Sequence, residues 1–214
     1  MKSNKPISLY SEKEERLNVL SHGLGLVLST IALVVLILKA VEQGGTMRIV
    51  SFAIFGLSML ILYTASTFYH QAKEPALRHR LNIVDHASIY ILIAGTYTPF
   101  TLLVLEGTTG WVIFGISWGL ALIGIILKLF FTGRFDVIST IAYVLMGWLI
   151  VFVIGPLIDS LSREGLFWLF AGGLFYTVGA ILYSIEKIKY NHAIFHVFVL
   201  LGTMSHFMAV YFYV

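Results

Sequence analysis

Seven long apolar stretches are the feature that most constrains this sequence. Each is about 20 residues long, the length that an α-helix needs to cross a bilayer at about 1.5 Å per residue. Only 12% of the 214 residues are charged, against about 25% in an ordinary soluble domain, so the chain lacks the polar residues that would cover a soluble fold. The stretches are Leu17–Leu38, Ile49–His70, Val84–Leu105, Trp111–Phe131, Val137–Ile158, Leu166–Ile185 and His192–Val214.

The pattern within these stretches predicts an all-α fold. They are continuously apolar and lack the two-residue alternation of a transmembrane β-barrel. We therefore expect a seven-transmembrane helical bundle that forms one domain over residues 17–214. Residues 1–16 form a polar tail without the apolar core of a cleaved signal peptide. Cysteine is absent, which excludes disulfides and thiolate metal ligands.

The basic residues predict the orientation of the bundle. If the N-terminus is cytoplasmic, 11 of the 14 Lys and Arg residues lie in the cytoplasmic segments and 3 on the other side. Short cytoplasmic loops carry an excess of such residues, so we expect a multi-pass protein of the cell membrane with the N-terminus inside and the C-terminus outside. The basic residues flank apolar spans and form no patch, so no nucleic-acid partner is expected.

Four ionisable residues stand out because they fall at span ends that share one predicted membrane face. His70 ends the second span, Asp85 opens the third, and His192 and His196 open the seventh. An ionisable group inside a span costs roughly 2.5–3.5 kcal/mol on insertion scales, so each one calls for an explanation. Their common depth, on the predicted cytoplasmic side, indicates a shared site.

The spacing of the histidines favours a metal site. His192 and His196 are four residues apart, which places both imidazoles on one helical face, and His70 can supply a third ligand. Three histidines with one open position are typical of catalytic zinc, and a site of nitrogen and oxygen ligands suits Zn²⁺ without excluding other first-row ions. Asp85 can ligate the metal or hold its water, and Ser66 lies one turn from His70. The alternatives are histidines that hydrogen-bond across helices and an Asp–His proton relay without metal.

The other histidines fit less specific roles. His22 lies at the same predicted depth, where it can line the cavity, although structural hydrogen bonding is the favoured interpretation. His79 and His86 are expected at the membrane interface. His206 lies ten residues beyond His196, about 15 Å along a helix, which is too far for the same metal ion.

These residues match a known family. The segment Ser66-Thr-Phe-Tyr-His70, Asp85 and the segment His192-Ala-Ile-Phe-His196 resemble the hemolysin III branch of the progestin and adipoQ receptor family, whose superfamily includes alkaline ceramidases. The resemblance implies seven helices, a cytoplasmic N-terminus, and a zinc ion held by His70, His192 and His196. It also implies that Asp85 contacts the water on the zinc. The short N-terminal tail argues against the hormone-receptor role of the larger animal members.

The function that this resemblance implies is zinc-dependent hydrolysis of a lipid amide or ester, with a membrane lipid as substrate or ligand. Asp85 would take or orient a proton, and Ser66 would steady the water or the oxyanion. Two alternatives stay open. One is a cytolysin, as the name of the branch suggests, although the sequence has no amphipathic pore-forming segment. The other is a regulator of membrane composition or energetics with a structural zinc.

Overall fold

A computed structural model describes residues 10–105, 107–185 and 187–214. Within these ranges the chain is helical and forms no strand. Seven helical segments are long and apolar enough to cross a membrane, which confirms the predicted seven-span all-α fold. The α-helices are α1 (Glu12–Gln43), α2 (Thr46–Gln71), α3 (Pro75–Pro99), α4 (Gly107–Phe131), α5 (Asp136–Gly147), α6 (Ile154–Ser160), α7 (Arg163–Tyr183) and α8 (Asn191–Tyr213).

Local features explain the start of α1, the turn between α1 and α2, and the start of α3. The Ser11 hydroxyl accepts a hydrogen bond from the Glu14 amide at the start of α1. Gly44 and Gly45 both have positive φ, which lets the chain reverse between α1 and α2. At the start of α3, the Glu74 carboxylate accepts hydrogen bonds from two backbone amides, which lower the pKa of that carboxyl.

The third helix begins earlier than the sequence predicts. It starts at Pro75 rather than Val84, because Pro75 stands in the first turn and Glu74 caps it. Asp85 therefore lies well inside α3 instead of opening it. Beyond Pro99 the helix widens into a π-helical turn, Phe100–Val104, which completes the third span.

The fifth span, predicted as the continuous stretch Val137–Ile158, is interrupted before Pro156. Its first part, α5, ends at Gly147, and a 3₁₀ turn over Leu149–Val153 leads into α6. The irregular part precedes Pro156 because a proline ring clashes with the carbonyl four residues earlier. Tyr97 stabilises the break, since its hydroxyl donates to the Gly147 carbonyl at 2.7 Å and accepts from the Ile150 amide at 2.9 Å.

The helices pack so that α2, α3 and α8 form the interior of the bundle. The most extensive contacts are α1 with α2, α7 with α8, and α2 with α3, and α8 also packs against α1. Helix α1 exposes large apolar side chains such as Leu20 and Val27 on its outer face. Its buried face carries Asn18 and His22. In a soluble protein the buried face of a helix is apolar and the exposed face is polar. The opposite arrangement in α1 suits a helix with lipid on one side and a polar site on the other.

Candidate metal centre

Helices α2 and α8 bring together the three histidines that the sequence selected. His70 is the penultimate residue of α2, His192 is the second residue of α8, and His196 follows one turn later. All three side chains are buried, and each offers a nitrogen within 4.8 Å of those of the other two. The Nε2 atom of His192 lies 3.1 Å from that of His70 and 3.0 Å from that of His196. The three histidines therefore form a cluster that could hold a metal ion.

The opposite nitrogen of each ring contacts the N-terminal part of the chain. A metal-ligating histidine usually engages its other ring nitrogen in this way, which fixes the tautomer and the ring orientation. The contacts are His70 Nδ1 with Glu15 Oε2 at 2.7 Å, His192 Nδ1 with the Tyr10 hydroxyl at 3.1 Å, and His196 Nδ1 with Ser21 Oγ at 3.2 Å. Burial raises the pKa of the Tyr10 hydroxyl well above its ordinary value, so this contact involves a neutral phenol.

These contacts determine which nitrogens carry hydrogen. A carboxylate only accepts, so Nδ1–H of His70 donates to Glu15, and this contact is shorter than the 3.3 Å contact of the same nitrogen with Asn18 Nδ2. The Ser21 hydroxyl donates to the Asn18 carbonyl at 3.0 Å, so its oxygen accepts from Nδ1–H of His196. In the neutral rings of His70 and His196, Nε2 therefore carries no hydrogen and exposes a lone pair.

The three converging Nε2 atoms fit a bound cation. In its neutral form, His192 has at most one hydrogen on Nε2, so it cannot donate to the bare Nε2 atoms of both His70 and His196. A cation between the three nitrogens removes this conflict. Ligands at about 2.0–2.1 Å from a tetrahedral zinc would be about 3.3 Å apart, close to the observed 3.0 and 3.1 Å.

Glu15 is itself held in place by α3. Arg78 contacts Glu15 Oε1 through its guanidinium group, which also lies over the Tyr69 ring at 4.6 Å from the centroid. The same group donates to the Ala72 carbonyl at 3.2 Å. Arg78 is buried, so this charge is neutralised and hydrogen-bonded within the protein. The chain from His70 through Glu15 to Arg78 connects three helices at the centre.

Asp85 and Ser66 lie beside the histidine cluster without belonging to it. Among the described residues, the group of possible ligands contains the three histidines and not Asp85. The Asp85 carboxylate interacts electrostatically with His70. The Ser66 hydroxyl is buried near Asp85, but it lacks the geometry of a hydrogen bond to any described residue. Both side chains line a cavity that adjoins the cluster.

Two of the remaining histidines differ from their predictions. The His22 ring stacks on His196 with 3.4 Å between centroids and 7° between planes. Neither ring nitrogen of His22 has the geometry of a hydrogen bond to a described residue, which differs from the favoured interpretation. The ring does line the cavity, as its predicted depth allowed. Stacking, rather than hydrogen bonding, accounts for its burial. His86 lines the cavity instead of lying at the interface, whereas His79 is exposed.

The cavity has a volume of about 150 Å³ and extends away from the histidine cluster into the bundle. Along α8 its lining residues run from His192 to His206, a rise of about 21 Å along the helix axis. Apolar side chains such as Leu92 and Val199 form much of its wall. A long, apolar cavity of this kind is suited to a hydrocarbon chain.

Sequence reasoning missed several residues that shape the centre. The side chains that contact the ring Nδ1 atoms were not selected, although Glu15 and Asn18 lie three residues apart and share one helical face with His22. Polar residues at that helical spacing on an otherwise apolar span are the signal that could have found them. Lys128, which was not selected either, is a buried residue of α4 that lines the cavity.

Fold and site together define a multi-pass membrane protein with a buried three-histidine cluster beside an apolar cavity. The family model described as "Haemolysin-III related" matches residues 10–207. The chain therefore belongs to the haemolysin III family, which confirms the resemblance found in the sequence.

Named relatives agree with this assignment. The chain is 47% identical over 202 residues to "Hemolysin-3" of Bacillus cereus, covering 94% of this chain and 92% of the relative. It is 48% identical over 205 residues to the "Hemolysin-3 homolog" of Bacillus subtilis (strain 168), covering 96% of each. It is 28% identical over 166 residues to the human "Monocyte to macrophage differentiation factor", covering 75% of this chain and 68% of the relative.

Proposed function

We propose that this protein is a zinc-dependent hydrolase that cleaves a lipid amide or ester in the cell membrane. The observation that carries the proposal is the convergence of three histidine Nε2 atoms beside Asp85, at one end of an apolar cavity. Such an arrangement combines a metal site, a carboxylate and space for a hydrocarbon chain. A soluble substrate would not need a cavity of this composition inside a membrane bundle.

His70, His192 and His196 would hold the zinc. When bound, zinc supplies Lewis acidity toward a carbonyl oxygen and a water molecule. The contacts of His70 Nδ1 and His196 Nδ1 favour the tautomer that exposes Nε2 in these two rings, and the Tyr10 hydroxyl holds the His192 ring in place, so the chain itself orients the ligand set.

Asp85 and Ser66 would act on the reacting groups. The Asp85 carboxylate takes the proton of the attacking water as its oxygen bonds to the carbonyl carbon. The Ser66 hydroxyl, which has no hydrogen-bond partner among the described residues, donates to the oxyanion. The bond from the carbonyl carbon to nitrogen or oxygen then breaks, and the proton passes to the leaving amine or alcohol. The products are a carboxylic acid and a neutral amine or alcohol.

The number of protein ligands favours a catalytic metal over a structural one. A structural zinc site is normally closed by four protein ligands. Among the residues that the structure describes, the cluster contains three possible ligands, which leaves a position for water or substrate. This count supports the hydrolase over a regulator with a structural zinc.

The test is turnover of matched lipids by the purified protein in lipid nanodiscs. An amide and an ester with the same acyl chain are compared, with and without a chelator and after zinc is restored. We expect fatty acid release from at least one of them, loss of release on chelation, and recovery with zinc. Asp159→Asn, at an exposed position of α6, serves as the carboxylate control. Release that persists in the metal-free protein would contradict the proposal.

A further inference from the structure

The cavity wall away from the histidine cluster has an unusual hydrogen-bonding character. We call this part the distal wall, and its polar members are Thr96, Tyr97, Trp148, Tyr176, Thr177 and His206. Each carries one hydrogen that can be donated, and in each case that hydrogen is already used within the protein. The distal wall therefore offers acceptors to a ligand and no donors.

Four of these hydrogens go to other residues of the cavity wall. They are donated by Thr96 Oγ1 to the Leu92 carbonyl at 2.8 Å, by Tyr97 to the Gly147 carbonyl at 2.7 Å, by Thr177 Oγ1 to the Gly173 carbonyl at 2.7 Å, and by Trp148 Nε1 to Thr177 Oγ1 at 2.9 Å. Carbonyl groups only accept, so the direction of the first three bonds is fixed.

The direction of the Tyr176 hydrogen bond follows from its partner Thr203. The single hydroxyl hydrogen of Thr203 goes to the Val199 carbonyl at 2.9 Å. Thr203 Oγ1 must therefore accept from Tyr63 and from Tyr176, each at 2.8 Å. The phenol oxygen of Tyr176 is left as an acceptor at the cavity.

His206 places a second acceptor near Tyr176. Its Nε2 lies 3.1 Å from the Leu169 carbonyl, so this nitrogen carries the hydrogen of the neutral ring. Its Nδ1 is then a bare lone pair, buried and without a partner among the described residues. The His206 side chain is 6% exposed, and its ring centroid lies 5.5 Å from that of Tyr176.

We propose that the distal wall binds a hydroxyl group on the hydrocarbon chain of the lipid. An unmatched buried acceptor is unfavourable, and a ligand hydroxyl supplies the missing hydrogen. A ketone or ester group would bring another acceptor against the acceptors of the wall. An ammonium group would bury a full charge inside a membrane span. The presence of a lipid chain in this cavity rests on the proposed function.

The hydroxyl would lie far from the reacting carbonyl. His206 is ten residues beyond His196 on α8, which corresponds to about 15 Å. The metal centre would therefore act on the head of the lipid while the distal wall recognises a substituent well along its chain.

The experiment measures binding of three probes to the full chain in nanodiscs. They are a saturated long-chain fatty acid, its mid-chain hydroxy derivative and its mid-chain keto derivative. We expect the hydroxy acid to bind about three- to tenfold more tightly than the parent, the usual effect of one net hydrogen bond. The keto acid should bind more weakly than the parent.

Two tyrosine variants localise the effect. Tyr176→Phe removes the acceptor oxygen at the cavity and should abolish the preference for the hydroxy acid. Tyr63→Phe removes the other hydrogen bond to Thr203 but is not part of the cavity lining, so it should preserve the preference. Metal content should be the same in both variants.

Three outcomes would contradict the proposal, and a fourth would contradict the proposed function alone. Equal binding of hydroxy and parent acids by the wild-type protein would mean that water already satisfies the distal wall. A preference that survives in Tyr176→Phe would place the recognition elsewhere. Failure of all three probes to bind would exclude a chain-binding cavity altogether. Selective binding without lipid hydrolysis would contradict the proposed function alone and leave the distal hydroxyl site intact.

Discussion

The metal centre and the distal wall both contain buried histidines, but the rings are held in opposite ways. At the centre, Nδ1 of His70 donates to a carboxylate and Nε2 faces other histidines. At the distal wall, Nε2 of His206 donates to a backbone carbonyl, and no second imidazole approaches it among the described ring contacts. Burial alone therefore does not identify a metal ligand. What distinguishes a metal ligand is which ring nitrogen carries no hydrogen and which groups that nitrogen faces.

The predicted orientation places the metal centre and the distal wall in different halves of the membrane. A reporter fused to the C-terminus tests this orientation and is expected to be either active or inactive. The metal centre should lie toward the cytoplasm, because 11 of 14 basic residues fall on that side with the N-terminus inside. A reporter that is active only outside the cytoplasm, fused after Val214, should be active. If this fusion is inactive and a reporter that works only in the cytoplasm is active at the same position, the C-terminus is cytoplasmic and the predicted orientation is wrong.

Asp85→Asn should produce the largest functional loss that leaves the metal in place. Asparagine is nearly isosteric and can still hydrogen-bond, but it cannot accept the proton of the attacking water. Lipid turnover should fall by about 10²–10⁴-fold, the usual effect of removing a general base. Zinc content should stay near that of the wild-type protein.

The matched variant Asp159→Asn should leave turnover unchanged, since that side chain is exposed. Full zinc together with full activity in Asp85→Asn would remove Asp85 from the mechanism. Loss of zinc in this variant would instead make Asp85 a ligand.

Glu15→Gln should weaken metal binding without abolishing it. The substitution removes the charge that His70 Nδ1 and Arg78 both contact. Loss of such a partner typically costs about 10–100-fold in metal affinity. Competition with a chromogenic chelator measures the change. Glu12→Gln, an exposed position of the same helix turn, is the control, and equal losses in the two variants would mean that Glu15 does not orient His70.

Ser21→Ala should have the smallest effect of the series. It removes a neutral hydrogen bond to His196 Nδ1, worth about 0.5–1.5 kcal/mol, so zinc affinity should fall by about two- to tenfold. Ser29→Ala removes a comparable hydroxyl that donates to the Leu26 carbonyl on the same helix. A loss with Ser29→Ala as large as with Ser21→Ala would trace the effect to α1 stability instead of the metal centre.

Much of the fold and of the cluster could be predicted because the responsible signals are local. Apolar length predicts the spans, and the four-residue spacing of His192 and His196 puts both on one face of α8. The contact between His70 and Glu15 joins residues 55 positions apart, so no local pattern specifies it. The position of the break before Pro156 depends on the Tyr97 hydroxyl, which comes from another helix, so the sequence of the fifth span does not specify it by itself.

The most direct test of the account is the zinc content of purified wild-type, His192→Ala and His206→Ala proteins, measured by mass spectrometry against protein concentration. The account predicts about one zinc per chain in the wild-type and His206→Ala proteins. It predicts little in His192→Ala, because two imidazoles do not readily replace three. Equal zinc in all three proteins, or a loss confined to His206→Ala, would contradict the metal centre formed by His70, His192 and His196.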